Sequence, residues 1–481
     1  MATTVIGRAA EKALLQQIIQ SPDAELVAVY GRRRVGKTFL IRNLLQKQLA
    51  FEYSGVHHAT LGQQLENFIQ AITLASGSRV PLAKPAGWSE AFNILTNYIS
   101  PLIKKQKRVI FFDEFPWINT PRSGFMQAFE HFWNTWASRQ QNLVVIICGS
   151  AAAWMINHII HNKGGLHNRV TRKIRLLPFN LQETEAFLQA RKINLDRYQV
   201  LQLYMVMGGI PHYLKEIKPG ESSAQAIDRT CFSKDGLLQT EFKILYQSLF
   251  DDAGNHMAVI KALAKKGTGL TRNEIIESGK LSSGGWLSMV LDELTESGFI
   301  KPYIPFDKTA KDSVYKLTDE YSRFYLKFIE HSRSEGTGTW ISISRETSWK
   351  SWSGNAFETV CLKHIQQIKK ALGIEAVKTE SSAWRYKPKP GEQGAQIDLL
   401  IDRQDHCINI CEIKFSITDF TIEKNYATAL ENKVHAFRAQ TKTRKSIFLT
   451  MITSFGITKN PNAVRLVQSD VTMDALFGGS K

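Results

Sequence analysis

Apolar and polar positions along this chain change period repeatedly, and each change marks an element. Leu26-Val27-Ala28-Val29-Tyr30, Val109-Ile110-Phe111-Phe112 and Val144-Val145-Ile146-Ile147-Cys148 are unbroken apolar runs of strand length. Runs this short with no polar face are expected as fully buried strands. Between them the pattern is helical: Leu14-Leu15 with Ile18-Ile19, and Phe39-Leu40-Ile41 with Leu44-Leu45. Strands alternating with helices predict a parallel α/β sheet. From Leu181 to Lys215 the period is helical throughout, broken by Gly208-Gly209-Ile210-Pro211, a tight helix–helix turn. His256–Ala264, a helix from Thr271 with Glu274 placed to close a capping box, and Trp286–Leu294 form three further helices. Gly298–Tyr303 and Ser313–Leu317 then alternate like a hairpin around Asp307–Asp312. After a linker at Gly336–Thr339, a helix is expected from Ser353 through Ile365. Strands follow at Gln396–Ile401, Cys407–Phe415 and Ser446–Thr450, with a turn at Gly391–Gly394 before the first.

The chemistry gathers at the ends of these runs. Gly31-Arg32-Arg33-Arg34-Val35-Gly36-Lys37-Thr38 lies between a strand and the helix opened by Phe39, the context of a P-loop. Its backbone N–H groups and the helix N-terminus would cradle phosphates. Lys37 would reach the β- and γ-phosphates, and the Thr38 hydroxyl would ligate Mg²⁺. The expected ligands are therefore ATP and Mg²⁺. Asp113 and Glu114 end the second strand; the first would hold Mg²⁺ and the second would deprotonate the attacking water. Ser150 ends the third strand, where it either senses the γ-phosphate or caps the following helix. Arg169 and Arg172, after Gly164-Gly165, are candidates for an arginine finger, in cis or from a second copy of the chain. A basic nucleic-acid-binding loop is the competing reading. The run Arg32-Arg33-Arg34 would contact phosphates, acidic neighbours or nucleic acid.

Composition adds a partner class. The 481 residues are 43% hydrophobic and 22% charged, as in globular proteins, and about three domains fit that length. A net charge of +17 favours an anionic partner such as nucleic acid. The 5 cysteines form no CxxC pair, so reduced thiols and a cytoplasmic location are expected. Gln140–Asn162 carries no formal charge, but Gly149-Ser150 interrupts it and His158 and His161 follow, so a membrane span is excluded.

Gly7-Arg8 with Glu11 ahead of the first strand looks like the entry to AAA+ ATPase domains, where it packs near the adenine. Together with the P-loop, Phe112-Asp113-Glu114, Leu177-Pro178-Phe179 and Gly208-Gly209-Ile210-Pro211, it makes the chain similar to the archaeal-type ATPase family, an AAA+/STAND-related branch. The resemblance implies a P-loop core over residues 1–178 and a helical lid over 179–250.

Residues 251–335 resemble that family's winged helix-turn-helix. Its third helix carries Asp292, Glu293 and Glu296, which argues against base reading, although Lys308 and Lys311 could touch phosphate. Residues 345–481 resemble a PD-(D/E)xK nuclease domain. Asp398 on one strand and Glu412-Ile413-Lys414 on the next would converge on Mg²⁺ with Glu358 in support, and Lys414 would position the nucleophile. These residues imply an ATPase coupled to a metal-dependent nuclease acting on DNA. The rival is an ATP-dependent switch whose C-terminal domain binds nucleic acid or protein without cutting.

Overall fold

Five buried strands lie side by side in parallel: β1 (Glu25–Tyr30), β2 (Leu49–Ser54), β3 (Arg108–Asp113), β4 (Leu143–Gly149) and β5 (Arg172–Arg175), in the order β2-β3-β4-β1-β5. The computed structural model describes residues 4–79, 82–161, 164–250, 252–332, 336, 338–386, 388 and 394–478. The central strands β1, β3 and β4 are those whose sequences show no polar face, and helices cover them. One face packs on an aromatic core that includes Phe68, Trp88, Phe92, Phe112, Phe125 and Phe129. The uncharged stretch after Gln140 is β4 followed by the short helical segments Ala152–Met155 and Ile156–Ile160. Among the described residues no helix is long and apolar enough to cross a membrane.

The chain divides into two compact units, Met1–Pro178 with Glu296–Gly298, and Phe179–Thr295 with Phe299–Lys481. The second unit opens with helices Leu181–Ala190 and Arg197–Met207, the first capped reciprocally by Asn180 and Glu183. The glycine turn follows. A Cβ on Gly209 would lie 1.8 Å from the Phe179 carbonyl oxygen, so backbone meets backbone there. After helices Pro211–Leu214, Ser223–Ile227 and Leu237–Gln247 come Ala253–Ala264, Arg272–Gly279 and Gly285–Glu296, with the capping box of Thr271 and Glu274 formed as the sequence suggests. They accompany a three-stranded antiparallel sheet of β6 (Leu270–Thr271), β7 (Ile300–Tyr303) and β8 (Val314–Leu317), ordered β6-β8-β7.

The C-terminal sheet is ordered β13-β12-β11-β10-β9. Strands β9 (Thr379–Tyr386), β10 (Ala395–Arg403) and β11 (Cys407–Lys414) pair antiparallel. Helix Lys424–Thr441 then crosses to β12 (Ser446–Thr453), which lies parallel to β11 and to β13 (Ser469–Thr472). This sheet is tied to the helices at the start of the same unit: Tyr198 stacks on Phe415 at 5.4 Å, and Phe415 also meets Phe357 at 5.6 Å.

Two sequence expectations need correction. The helix expected from Ser353 begins at Thr347, because Trp349 and Trp352, one turn apart, are already buried and stack at 5.1 Å. The linker expected at Gly336–Thr339 leads directly into a helix, Thr339–Ile343. Asp228 accepts the backbone N–H groups of Gly338 and Trp340, each at 2.7 Å, and Trp340 is buried. Thr337, and residues 391–393 of the expected turn before β10, lie outside the described residues.

Candidate nucleotide site and C-terminal acidic cluster

The P-loop leaves β1 at the carboxyl end of the parallel sheet, where α/β folds bind ligands. Gly31 takes φ +145°, and a Cβ there would fall 2.2 Å from the Leu176 carbonyl oxygen. Gly36 takes φ +92° and caps helix Lys37–Leu44. Both positions need glycine to turn the backbone tightly. Arg8 is buried and donates to the Val35 carbonyl at 3.1 Å, so the Gly-Arg entry fastens the loop itself.

Lys37 is buried and donates at 3.0 Å to each of three oxygens: the carbonyls of Gly31 and Arg32 and Ser150 Oγ. Ser150 Oγ in turn donates to Glu114 Oε1 at 2.7 Å, and its N–H donates to Glu114 Oε2 at 3.1 Å. Helix Ala152–Met155 is preceded by Ala151 and shows no side-chain cap, so the capping reading of Ser150 is not realised; its side chain instead links Lys37 to Glu114. Beside it, Thr38 Oγ1 donates to Asp113 Oδ2 at 2.7 Å. A hydroxyl and a carboxylate this close are two hard oxygen donors, which fit Mg²⁺ completed by water and phosphate oxygens. Arg32 is buried, and Arg33, Arg34 and Val35 complete the loop ahead of Phe39, which is exposed on the first turn of the helix.

The candidate finger residues lie elsewhere. β5 runs parallel to β1, with Val27 opposite Arg172 and Tyr30 opposite Arg175. Arg172 therefore starts its strand, 4.0 Å from Glu25, at the sheet end away from Lys37; Arg169 precedes it in a turn. The arginine that β5 carries to the P-loop end is Arg175, the register partner of Tyr30. The sequence pattern does not single it out, because parallel register is what places it.

In the C-terminal sheet Leu399 pairs with Cys411. One step further along this antiparallel ladder, Asp398 and Glu412 share a face. Glu412 is 4% exposed and heavily engaged: Tyr426 donates to Oε1 at 2.8 Å, Lys433 to Oε2 at 2.5 Å, and Lys414 lies 3.2 Å from Oε1. Burial would raise its carboxyl pKa, but Lys433 and Lys414 outweigh that and hold it below the ordinary value. Glu358 is raised, chiefly by burial and partly by the neighbouring Asp398, against the opposing charge of Lys316. Lys316 Nζ sits 2.8 Å from Glu358 Oε1, and Gln396 donates to Asp398 Oδ1 at 2.6 Å. Among the described residues no three His, Cys, Asp or Glu side chains form a group able to hold a metal ion. As arranged, Glu358 is paired with Lys316 and Glu412 with Lys414 and Lys433, while Asp398 accepts from Gln396.

Comparison with known proteins places the first part of the chain. Residues 6–217 match a family described as an ATPase domain predominantly from Archaea. An uncharacterised protein of Methanocaldococcus jannaschii is 21% identical over 426 residues, covering 88% of this chain and 90% of its own. The Walker-type ATPase of Pyrococcus abyssi superposes with a TM-score of 0.52 at 17% identity, over 67% of this chain and 96% of its own. The Aeropyrum pernix ORC2 protein, solved in ADPNP–ADP complexes, superposes with a TM-score of 0.44 at 14% identity, over 66% of this chain and 91% of its own. Residues 6–217 are thus similar to an ATPase domain family found predominantly in Archaea, and their fold is that of a Walker-type ATPase.

Proposed function

We propose that this protein is a Mg²⁺-dependent ATPase whose nucleotide cycle acts on nucleic acid bound by the residues after Pro178. The observation that carries the reading is the linked pair of contacts Lys37–Ser150–Glu114 and Thr38–Asp113 at the mouth of the P-loop. Lys37 would exchange its loop carbonyls for β- and γ-phosphate oxygens, while Gly31 to Phe39 wrap the phosphates. Thr38 and Asp113 would hold Mg²⁺, which supplies charge neutralisation on those oxygens. Glu114, steadied by both the hydroxyl and the N–H of Ser150, would orient and deprotonate the attacking water. An arginine finger at Arg169 would act from a second copy of the chain, since the strand that follows it, β5, starts at the far end of the sheet. The decisive comparison is ATP turnover by wild type and Glu114→Gln, with ATP binding measured separately. Retained binding with turnover lowered about 10²–10⁴-fold fits the assignment; unchanged turnover overturns it.

A second reading, metal-dependent cleavage of DNA, is favoured by one observation: Asp398 and Glu412 share a face, with Glu358 near Asp398 and Lys414 on Glu412. The order of helix, three antiparallel strands, crossover helix and parallel strand also supports it. Under this reading nucleotide state gates cleavage, and the acids act once Lys316 and Lys433 release them. Degradation of single- and double-stranded DNA with Mg²⁺, with and without ATP, should then disappear in Asp398→Ala. Absence of cleavage in wild type, alongside ATPase activity that needs Lys37, leaves the switch as the function.

A further inference from the structure

Residues 253–332 raise a question about charge. The third helix, Gly285–Glu296, carries Asp292, Glu293 and Glu296 and no lysine or arginine. Glu293 is committed inward, 2.7 Å from the buried His256 Nε2. Glu296 lies 3.6 Å from Arg175, so the helix offers a phosphate backbone the exposed Asp292 and no cation of its own.

Several cations of this segment line one cavity. A cavity of about 680 Å³ opens beside the end of helix Ala253–Ala264, and its wall includes Lys261, Lys265, Lys266, Arg323 and Lys327 against one carboxylate, Glu330. Lys261 is salt-bridged to Glu330 at 2.5 Å and Lys266 to Glu274 at 2.8 Å. Lys265 donates to the Ser278 carbonyl at 2.9 Å and is exposed, as is Lys327 on the facing helix. Lys261 and Lys266 are paired with acids and Arg323 is half-buried near Glu358 and Glu320, so the wall's exposed cations outside an ion pair among the described residues are Lys265 and Lys327. Lys261 and Lys265 stand one helical turn apart, about 6 Å between Cβ atoms. A series of cations at that spacing suits charges that recur along a strand better than one isolated anion. Helix C-termini also favour cations, which lets the lysines gather there without destabilising the helix.

We propose that this cavity, and not the third helix, is where residues 253–332 dock the phosphodiester backbone of nucleic acid. The proposal rests on the reading of nucleic acid as the partner, and it names the surface. Binding here is to phosphate and is therefore strongly salt-dependent and indifferent to base sequence.

The test uses the full-length protein and a fluorescently labelled DNA duplex of random sequence, titrated at several salt concentrations. The variants are Lys265→Ala/Lys327→Ala and, as the third-helix control, Asp292→Ala. The double variant is expected to lose affinity by about tenfold or more and to lower the slope of log K against log salt by about 2. ATP turnover and thermal midpoint should stay at wild-type values, which shows that the fold is intact. If wild type binds and the double variant binds equally well, the proposal fails while nucleic acid remains the partner. If wild type shows no salt-dependent binding, the partner reading itself fails. Displacement of the duplex by inorganic phosphate at matched ionic strength would mark a small-anion pocket and also overturn the proposal.

Discussion

Lys316 Nζ lies 2.8 Å from Glu358 Oε1, with the two side chains only 9% and 13% exposed. One belongs to β8 and the other to helix Thr347–Lys363, so this ion pair joins two modules of the same compact unit. A buried charge stripped of its partner costs far more than the intact pair contributes. Lys316→Met is expected to destabilise the protein by about 3–5 kcal/mol, read from urea unfolding. Adding Glu358→Leu should recover most of that loss. A single variant as stable as wild type would show that the pair carries no weight.

His364 gives an acid-sensitive joint. Its Nδ1 donates to the Val360 carbonyl at 2.8 Å, leaving Nε2 to accept the Leu181 N–H at 3.0 Å. Protonation would set one N–H against another. Burial accordingly pushes its pKa down to about 4. Unfolded histidine titrates near 6.5. Between these values the unfolded chain binds a proton that the folded one refuses, so stability is full above about pH 6.5 and falls toward pH 4, by about 3 kcal/mol in all. His364→Gln should flatten unfolding free energy against pH across that window. An unchanged profile would assign the acid sensitivity to other groups.

Ser150→Ala separates positioning from binding. The substitution removes the hydroxyl between Lys37 and Glu114 and leaves the backbone N–H that also holds Glu114. The expected outcome is a fall in kcat of about tenfold with little change in the KM for ATP. A rise in KM at constant kcat would instead make Ser150 a ground-state contact.

Gly31→Ala should be among the most damaging changes in the loop. Its Cβ would meet the Leu176 carbonyl oxygen at 2.2 Å, and that backbone is fastened because Leu176 N–H donates to Tyr30 at 2.7 Å. A loss of about 2 kcal/mol or more, with ATP binding abolished, is expected from calorimetry and nucleotide titration.

The sequence disclosed the elements whose patterns are local. β1, β3 and β4 are continuous apolar runs, and the capping box at Thr271 needs only residues three apart. It did not disclose β9, an edge strand that opens on polar Thr-Glu-Ser-Ser and has Trp384 as its one buried residue. Nor did it show that Ser150 bridges Lys37 and Glu114, because a serine after a strand looks the same whether it caps, senses phosphate or meets a lysine 113 positions away. Arg175 and Lys316 were hidden for the same reason: strand register sets the place of one, and a partner 42 positions distant sets the place of the other. The acidic residues of the C-terminal sheet were legible as a motif, but the lysines that engage them were not.

The stack of Tyr198 on Phe415 has a mechanical meaning. Phe415 is the residue after Lys414, and Tyr198 stands on the first turn of helix Arg197–Met207. A turn of that helix would act as a crank on the end of β11, because packed aromatic rings shift together and do not stretch apart. A proteolytic or engineered cut between residues 207 and 345 would therefore leave one ring of the pair on each fragment, and neither fragment would inherit a sealed surface.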